Sequence, residues 1–250
     1  MQPLTATTPF RSGHGRAVVV TFLLAASIVV SVLGAFSTLA KIATGAASQL
    51  PNDEELSIGN FVDLGVYLLH FVVYFSTVVA FCMWLYRACK NLPALGNPKP
   101  VIDYSPAWAV GSFFVPFANL IIPFRAVRET WAKSDPAVPY DNYVAPTEPS
   151  APLIMNVWWA FWLISNFVAN AALRVWMRAE TPGALYVATW LDLFSDLFTI
   201  PAAIFAIFVV KEVDRRQEER SRRVVYAPQA PPPPPLFTTP PAPGARPFVL

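Results

Sequence analysis

Apolar residues run through the chain in long blocks that charge interrupts at few positions. Four blocks are long enough, at about 1.5 Å of helical rise per residue, to cross roughly 30 Å of hydrocarbon. They are 17–40, uncharged between Arg16 and Lys41; 61–86, interrupted by Asp63 and His70; 153–173, closed by Arg174; and 184–210, which carries Asp192 and Asp196 and stops at Lys211. Each predicts a transmembrane helix. The first is longer than the roughly 7–15 apolar residues of a secretory signal, and no clean A-x-A site follows it, so it predicts a retained span.

A fifth block, 107–122, is shorter, contains Pro116 and Asn119, and lies between Pro106 and Pro123. As a helix it would reach only about 24 Å. Lys and Arg are retained on the cytoplasmic side, so their distribution discriminates between topologies. With the N-terminus inside and this block turning back, 15 basic residues fall inside and 3 outside; if the block crosses, 7 fall inside and 11 outside. Four spans with both termini cytoplasmic are therefore predicted. In 124–134, Phe124, Val127 and Trp131 share one face, while Arg125, Arg128, Glu129 and Lys133 face elsewhere. That is an amphipathic helix suited to the headgroup layer, although a helix packed on its neighbours carries the same pattern. Residues 107–134 thus predict a re-entrant or interfacial helical hairpin that closes in an amphipathic helix. Ser105 before Pro106 suits a helix start, and Gly96 suits a helix stop. Asn119 and Arg125 are placed to bond carbonyls freed by Pro116. Trp84, Tyr86, Tyr186 and Trp190 are placed as interface anchors.

Composition agrees. Of 250 residues, 55% are hydrophobic and 14% charged, with a mean hydropathy of +0.45, whereas a soluble domain carries about 25% charged residues. This excludes a simple soluble enzyme and a wholly disordered chain. A net charge of +2 gives no field to recruit nucleic acid. Cys82 and Cys89 lie about two turns apart on one helix and cannot easily bridge. Outside the membrane domain 17–210, the reading is a disordered cytoplasmic arm (1–16), a cytoplasmic helix extension (211–226) and a Pro-rich disordered tail (227–250). The extension carries Glu212–Arg216 and Glu219–Arg223 pairs at i+4. The tail holds ten prolines and is the candidate contact for a protein partner. Residues 135–151, with four prolines, read as a linker.

Charged side chains in hydrocarbon cost roughly 2.5–3.5 kcal/mol each and need a reason. In the predicted topology Asp63, His70, Asn166, Asn170, Arg174, Asp192 and Asp196 all fall in the outer half of the bundle. Asp63, Tyr67, His70 and Tyr74 share a face, as do Asn166, Asn170, Arg174 and Arg178, and Thr189, Asp192, Asp196 and Thr199. If those faces converge, Arg174 neutralises Asp192 or Asp63 and His70 sits near Asp196. Such a cluster either holds helices together or binds a cation or relays protons. On the first helix Ser27, Ser31, Gly34 and Thr38 form a small-residue packing face. A second set, Arg87, Trp108, Asn119, Arg125 and Arg128, would form a lipid-headgroup pocket or brace the hairpin. No phosphate loop, H-E-x-x-H, paired CxxC or G-x-S-x-G occurs, so no catalytic residue, cofactor or metal is assigned.

The most distinctive writing joins the second span to the amphipathic helix. It reads Trp84-Leu-Tyr86-Arg87-Ala88, Asn91-Leu92-Pro93-Ala94-Leu95-Gly96, Ser105-Pro106-Ala107-Trp108-Ala109-Val110-Gly111 and Val115-Pro116-Phe117-Ala118-Asn119-Leu120. Arg125-Ala126-Val127-Arg128-Glu129-Thr130-Trp131, Ser134-Asp135-Pro136 and a Trp158-Trp159 pair follow. Over about 61–210 this resembles an uncharacterised family of bacterial integral membrane proteins, domain of unknown function 4328. The resemblance implies a fold and a location in the bacterial cytoplasmic membrane, and no activity. The expectation is an all-α integral membrane bundle of four transmembrane helices, with the lipid bilayer as its first partner and its oligomeric state unassigned. Its role is read as a non-enzymatic interaction or scaffold component. A small ion- or proton-coupled transporter is the alternative, and a membrane-embedded enzyme is disfavoured.

Overall fold

A computed structural model describes residues 4–6, 9–48, 58–96, 103–137 and 152–226. The Pro-rich tail and most of the 135–151 linker lie outside them. The helices are α1 (His14–Thr44), α2 (Ile58–Asn91), α3 (Pro106–Gly111), α4 (Ile122–Lys133), α5 (Leu153–Trp176) and α6 (Pro182–Ser221). Four of them, α1, α2, α5 and α6, are long and apolar enough to cross a membrane. Two three-residue strands, β1 (Leu4–Ala6) and β2 (Val224–Tyr226), pair in parallel with Leu4 opposite Val224.

The helices outrun the apolar blocks at most ends. Hydropathy marks where greasy sequence stops, whereas a helix continues until its hydrogen-bond ladder is broken. α1 ends where Gly45 takes φ 76° and its N–H turns back to the Ile42 carbonyl. A Cβ disfavours that left-handed conformation. Gly96 (φ 76°) similarly closes the 3-10 turn Leu92–Leu95 that follows α2. Ser105 caps α3, its hydroxyl accepting from the Trp108 N–H at 3.2 Å, with Pro106 at the first helical position. α6 begins under a Thr181 cap and runs unbroken through Pro201 to Ser221. The fourth block and most of the extension predicted to follow it are therefore one helix. The predicted Glu212–Arg216 and Glu219–Arg223 pairs form at 2.7 and 2.5 Å.

The N-terminal arm differs from expectation. Residues 14–16 already belong to α1, and the Arg11 carbonyl accepts from Arg87 at 3.2 and 3.0 Å and from Asn91 at 3.0 Å. Its polar backbone thus finds partners in α2, which a purely compositional reading of a short polar segment does not foresee.

α6 packs against both α1 and α5, and α2 packs chiefly on α1. The densest core gathers at one end, where the start of α1 meets the ends of α2 and α6 and the start of α5. Val20, Leu85, Val127, Met155, Val210 and Val213 are almost wholly buried there. Trp84 is only 2% exposed. It packs against Phe81 with ring centres 5.2 Å apart and is a core residue, not the surface anchor its position predicts.

Between α2 and α5 the chain bends sharply: two limbs, Pro106–Phe114 and Ala118–Lys133, are bent by 109° at the break between them. The corner is a γ-turn: Phe117 takes φ 63° and ψ −40°, and the Ala118 N–H donates to the Pro116 carbonyl at 2.8 Å. That conformation is rare and strained for a residue with a side chain. The run of residues before the first limb reaches the second, where the Asp103 N–H donates to Glu129 at 3.2 Å and Arg125 stands 3.6 Å from Asp103. Arg125 therefore braces the hairpin through Asp103. A freed hairpin carbonyl, that of Leu120, is met by the Trp159 indole at 3.0 Å. Trp159 in turn stacks between Phe124 (5.8 Å) and Trp162 (4.5 Å). The face of α4 bearing Ala126, Val127 and Thr130 is fully buried, so this amphipathic helix packs on its neighbours.

Candidate functional site

Three helices converge at Gly34. α2 supplies His70, α6 supplies Asp196, and α1 supplies the glycine and Ser31. The His70 Nε2 lies 2.9 Å from the Val30 carbonyl. A carbonyl only accepts, so Nε2 carries the donated proton. The Asp196 carboxylate is hydrogen-bonded to Ser31 and lies near His70. A Cβ on Gly34 would stand 2.6 Å from Asp196 Oδ2 and 3.0 Å from His70 Nε2. Only a glycine lets α1 pass this close to both groups. One turn away on α6, Asp192 lies within electrostatic reach of Lys41 and His70, and the Lys41 ammonium also stands 5.6 Å from the centre of the Tyr67 ring.

Of the predicted cluster, His70, Asp192 and Asp196 are thus brought together. Asn166 and Asn170 instead turn back on their own helix, donating to the Trp162 and Asn166 carbonyls at 2.7 and 2.8 Å. Arg174 is exposed, and among the described residues it forms no ion pair with Asp192. The Asp63 side chain lies outside the described residues. In place of the α5 stripe stands a face of α1 that the sequence reading assigned to packing alone. Ser31, Gly34, Thr38 and Lys41 fall at i, i+3, i+7 and i+10, so helical periodicity carried the signal. Lys41 enters the sequence reading only as the charge that closes the first apolar block.

The second predicted set does not meet in one pocket among the described contacts. Arg87 engages the Arg11 carbonyl and Arg125 engages Asp103. Trp108 is half-exposed, while Asn119 and Arg128 are half-buried.

The buried polar groups that join most segments were not foreseen at all. Past Val210, α6 keeps a stripe of Val213, Gln217 and Arg220 facing inward, all at most 4% exposed. The Gln217 amide donates to the Ala88 carbonyl at 2.9 Å and to the Ser134 hydroxyl at 3.2 Å, and it accepts from Asn91 at 3.3 Å. Arg220 donates to the Leu95 carbonyl at 3.0 Å and to the Asp135 carbonyl. Arg216 pairs with Asp135 at 3.1 Å and stacks 3.8 Å over the Trp131 ring. The N-terminal arm, the end of α2, the end of α4 and α6 are thereby tied together. Electrostatics follow: burial lowers the Arg220 guanidinium from its usual value, and hydrogen bonds from Arg215 and then Arg216 hold the Glu212 carboxyl down to about 2. Burial raises Glu129. An i, i+4, i+7 stripe of Val213, Gln217 and Arg220 was readable in the sequence, but the surrounding charges presented that stretch as a solvated helix.

Compared with known proteins, residues 47–215 match the family model described as a domain of unknown function (DUF4328). The match spans α2 to the α6 extension, somewhat wider than the 61–210 of the resemblance. No curated protein and no solved structure matches the chain.

Proposed function

We propose that this chain, which belongs to the family of the domain of unknown function DUF4328, is a multi-pass protein of the bacterial cytoplasmic membrane, where it acts as a non-enzymatic interaction or scaffold component. The four long apolar helices support membrane residence. The hairpin supports a re-entrant or interfacial element, because Asp103 and Glu129 adjoin and its exposed tip carries Phe114 and Phe117. Pairing of β1 with β2 fits both termini on one face, and the excess of basic residues supports a cytoplasmic side for that face. The observation that carries the role is the Asn91–Gln217–Ser134 and Arg220 network. It locks four separate segments into a rigid platform at the end from which the Pro-rich tail departs. Inside lipid, apolar contact supplies no net drive for helix association, so glycine contacts and hydrogen bonds must join helices. The Gly34–Asp196–His70 contact suits that purpose.

A second reading, a proton- or cation-coupled transporter, is favoured by the gathering of His70, Asp192 and Asp196 beside Lys41 at one level of three helices. Proteoliposomes separate the two. A scaffold gives proton and sodium leak equal to empty vesicles, with wild type and the Asp192→Asn/Asp196→Asn double variant alike. Flux that the double variant abolishes overturns the scaffold reading. In cells, crosslinked partners shared by independent preparations and lost on truncation after residue 226 are the expected positive result.

A further inference from the structure

A groove of about 390 Å³ opens between the end of α4, the start of α5 and the stretch of α6 where its apolar run gives way to charge. Trp131 forms one wall, Ile154 and Met155 a second, and Phe208 and Val209 a third. The rim is Lys211, Glu212 and Arg215. Phe208, Lys211 and Arg215 fall at i, i+3 and i+7, so one face of α6 changes from apolar to cationic within two turns. Phe208 is 54% exposed, which leaves its ring open to an occupant.

The charges select among occupants. Arg215 is already matched, held by Glu212 at 2.8 Å and by Glu219 at 3.0 Å, and Glu212 is held by Arg216 as well at 2.7 Å. Lys211 is exposed. The Trp131 wall is pinned from outside the groove by Arg216, so the slot is shaped before anything enters. A free phosphate would meet Lys211 and leave the slot empty. A neutral lipid would fill the slot and leave Lys211 unmatched. An anionic amphiphile satisfies both.

We propose that this groove binds one anionic phospholipid of the leaflet beside the α6 extension, its acyl chain along Phe208, Val209 and Ile154 and its phosphodiester on Lys211. The proposal rests on the membrane residence argued above. Its test uses the full-length protein in detergent, titrated with phosphatidylglycerol or phosphatidylcholine of identical acyl chains, with retained lipid counted by native mass spectrometry. Phosphatidylglycerol is expected to be retained preferentially, and Lys211→Gln to lower that preference about fivefold, the effect of one basic residue at an anionic surface. Ile154→Trp, which fills the slot, is expected to lose both lipids, while Arg222→Gln, outside the groove, is expected to lose neither. Equal retention of the two lipids by wild type, or a preference unmoved by Lys211→Gln, overturns the site. So does an equal loss in Arg222→Gln. Alkaline extraction of native membranes separates the premises: protein that stays with the membrane while the preference is absent overturns the groove alone, and protein released by alkali overturns the membrane reading itself.

Discussion

Gly34 and Asp196 meet so closely that a single added methyl carbon on the glycine would stand 2.6 Å from the carboxylate Oδ2. The carboxylate is held by Ser31, and the neighbouring imidazole by the Val30 carbonyl, so neither swings aside freely. Gly34→Ala must therefore push α1 away from α6. The expected cost is roughly 1–3 kcal/mol, the range for overpacking a closed contact, read as a lower Tm of the solubilised protein. Asp196→Ala in the same chain makes room and recovers part of that loss. Strictly additive effects in the double-mutant cycle would refute the contact.

A second expectation concerns the hairpin. The Trp159 indole is the partner of the Leu120 carbonyl at 3.0 Å, just beyond the strained turn at Phe117. Trp159→Phe keeps an aromatic ring against Phe124 and Trp162 but removes the donor. Stability should fall by about 1–2 kcal/mol, the usual cost of leaving a half-buried acceptor unmade. Hydrogen exchange should rise at residues 117–121 and not in α6. Uniform acceleration across the chain would place the effect in general packing instead.

Helices α1 and α6 show what periodicity and charge carry, and where they stop. The apolar blocks located both helices, and the pairing of β1 with β2 sets residues 4–6 beside residues 224–226. The ends of the helices were less legible, because Lys211 stops an apolar block without stopping a hydrogen-bond ladder. At the candidate site the sequence singled out His70, Asp192 and Asp196 by their desolvation cost. It read Gly34 and Ser31 as packing, since a glycine advertises closeness without naming its neighbour. Asn166 and Asn170 misled for a physical reason: an amide in a helix can satisfy itself on the carbonyl four residues back. Gln217 and Arg220 were hidden by composition, because a charged helix is usually solvated and theirs is buried by the turn of chain Leu92–Leu95 and the end of α4.

Arg220 is the test of that buried platform. Its guanidinium serves the Leu95 carbonyl at 3.0 Å and the Asp135 carbonyl, and the residue is 3% exposed. Arg220→Met preserves the aliphatic stem and leaves both acceptors unmet. Roughly 2–5 kcal/mol should be lost, one desolvation penalty for each carbonyl. Arg222→Met, on the exposed side, should stay within about 0.5 kcal/mol of wild type. Thermal denaturation of both variants in one detergent makes the comparison, and equal effects would remove the platform's claim to rigidity.

The contact between the N-terminal arm and the α6 extension carries a pH dependence of definite sign. His14 Nδ1 lies 2.8 Å from Asp214, and the hydrogen bond, then the charge of Asp214, raise the imidazole above its ordinary 6.5. A raised pKa means that the folded contact favours the protonated ring. Its contribution is fully present below the ordinary value and fades as pH climbs through the raised one. The chain has two histidines, so ring-proton resonances of His14 and His70 can be followed separately. The His14 midpoint should lie above 6.5 in wild type and return toward it in Asp214→Asn. Backbone exchange at residues 9–13 should accelerate above that midpoint, since the Ser12 and His14 contacts with α6 help hold the arm. A midpoint unchanged by Asp214→Asn would assign the shift to another charge, and Glu218, which also raises His14, would be the next to remove.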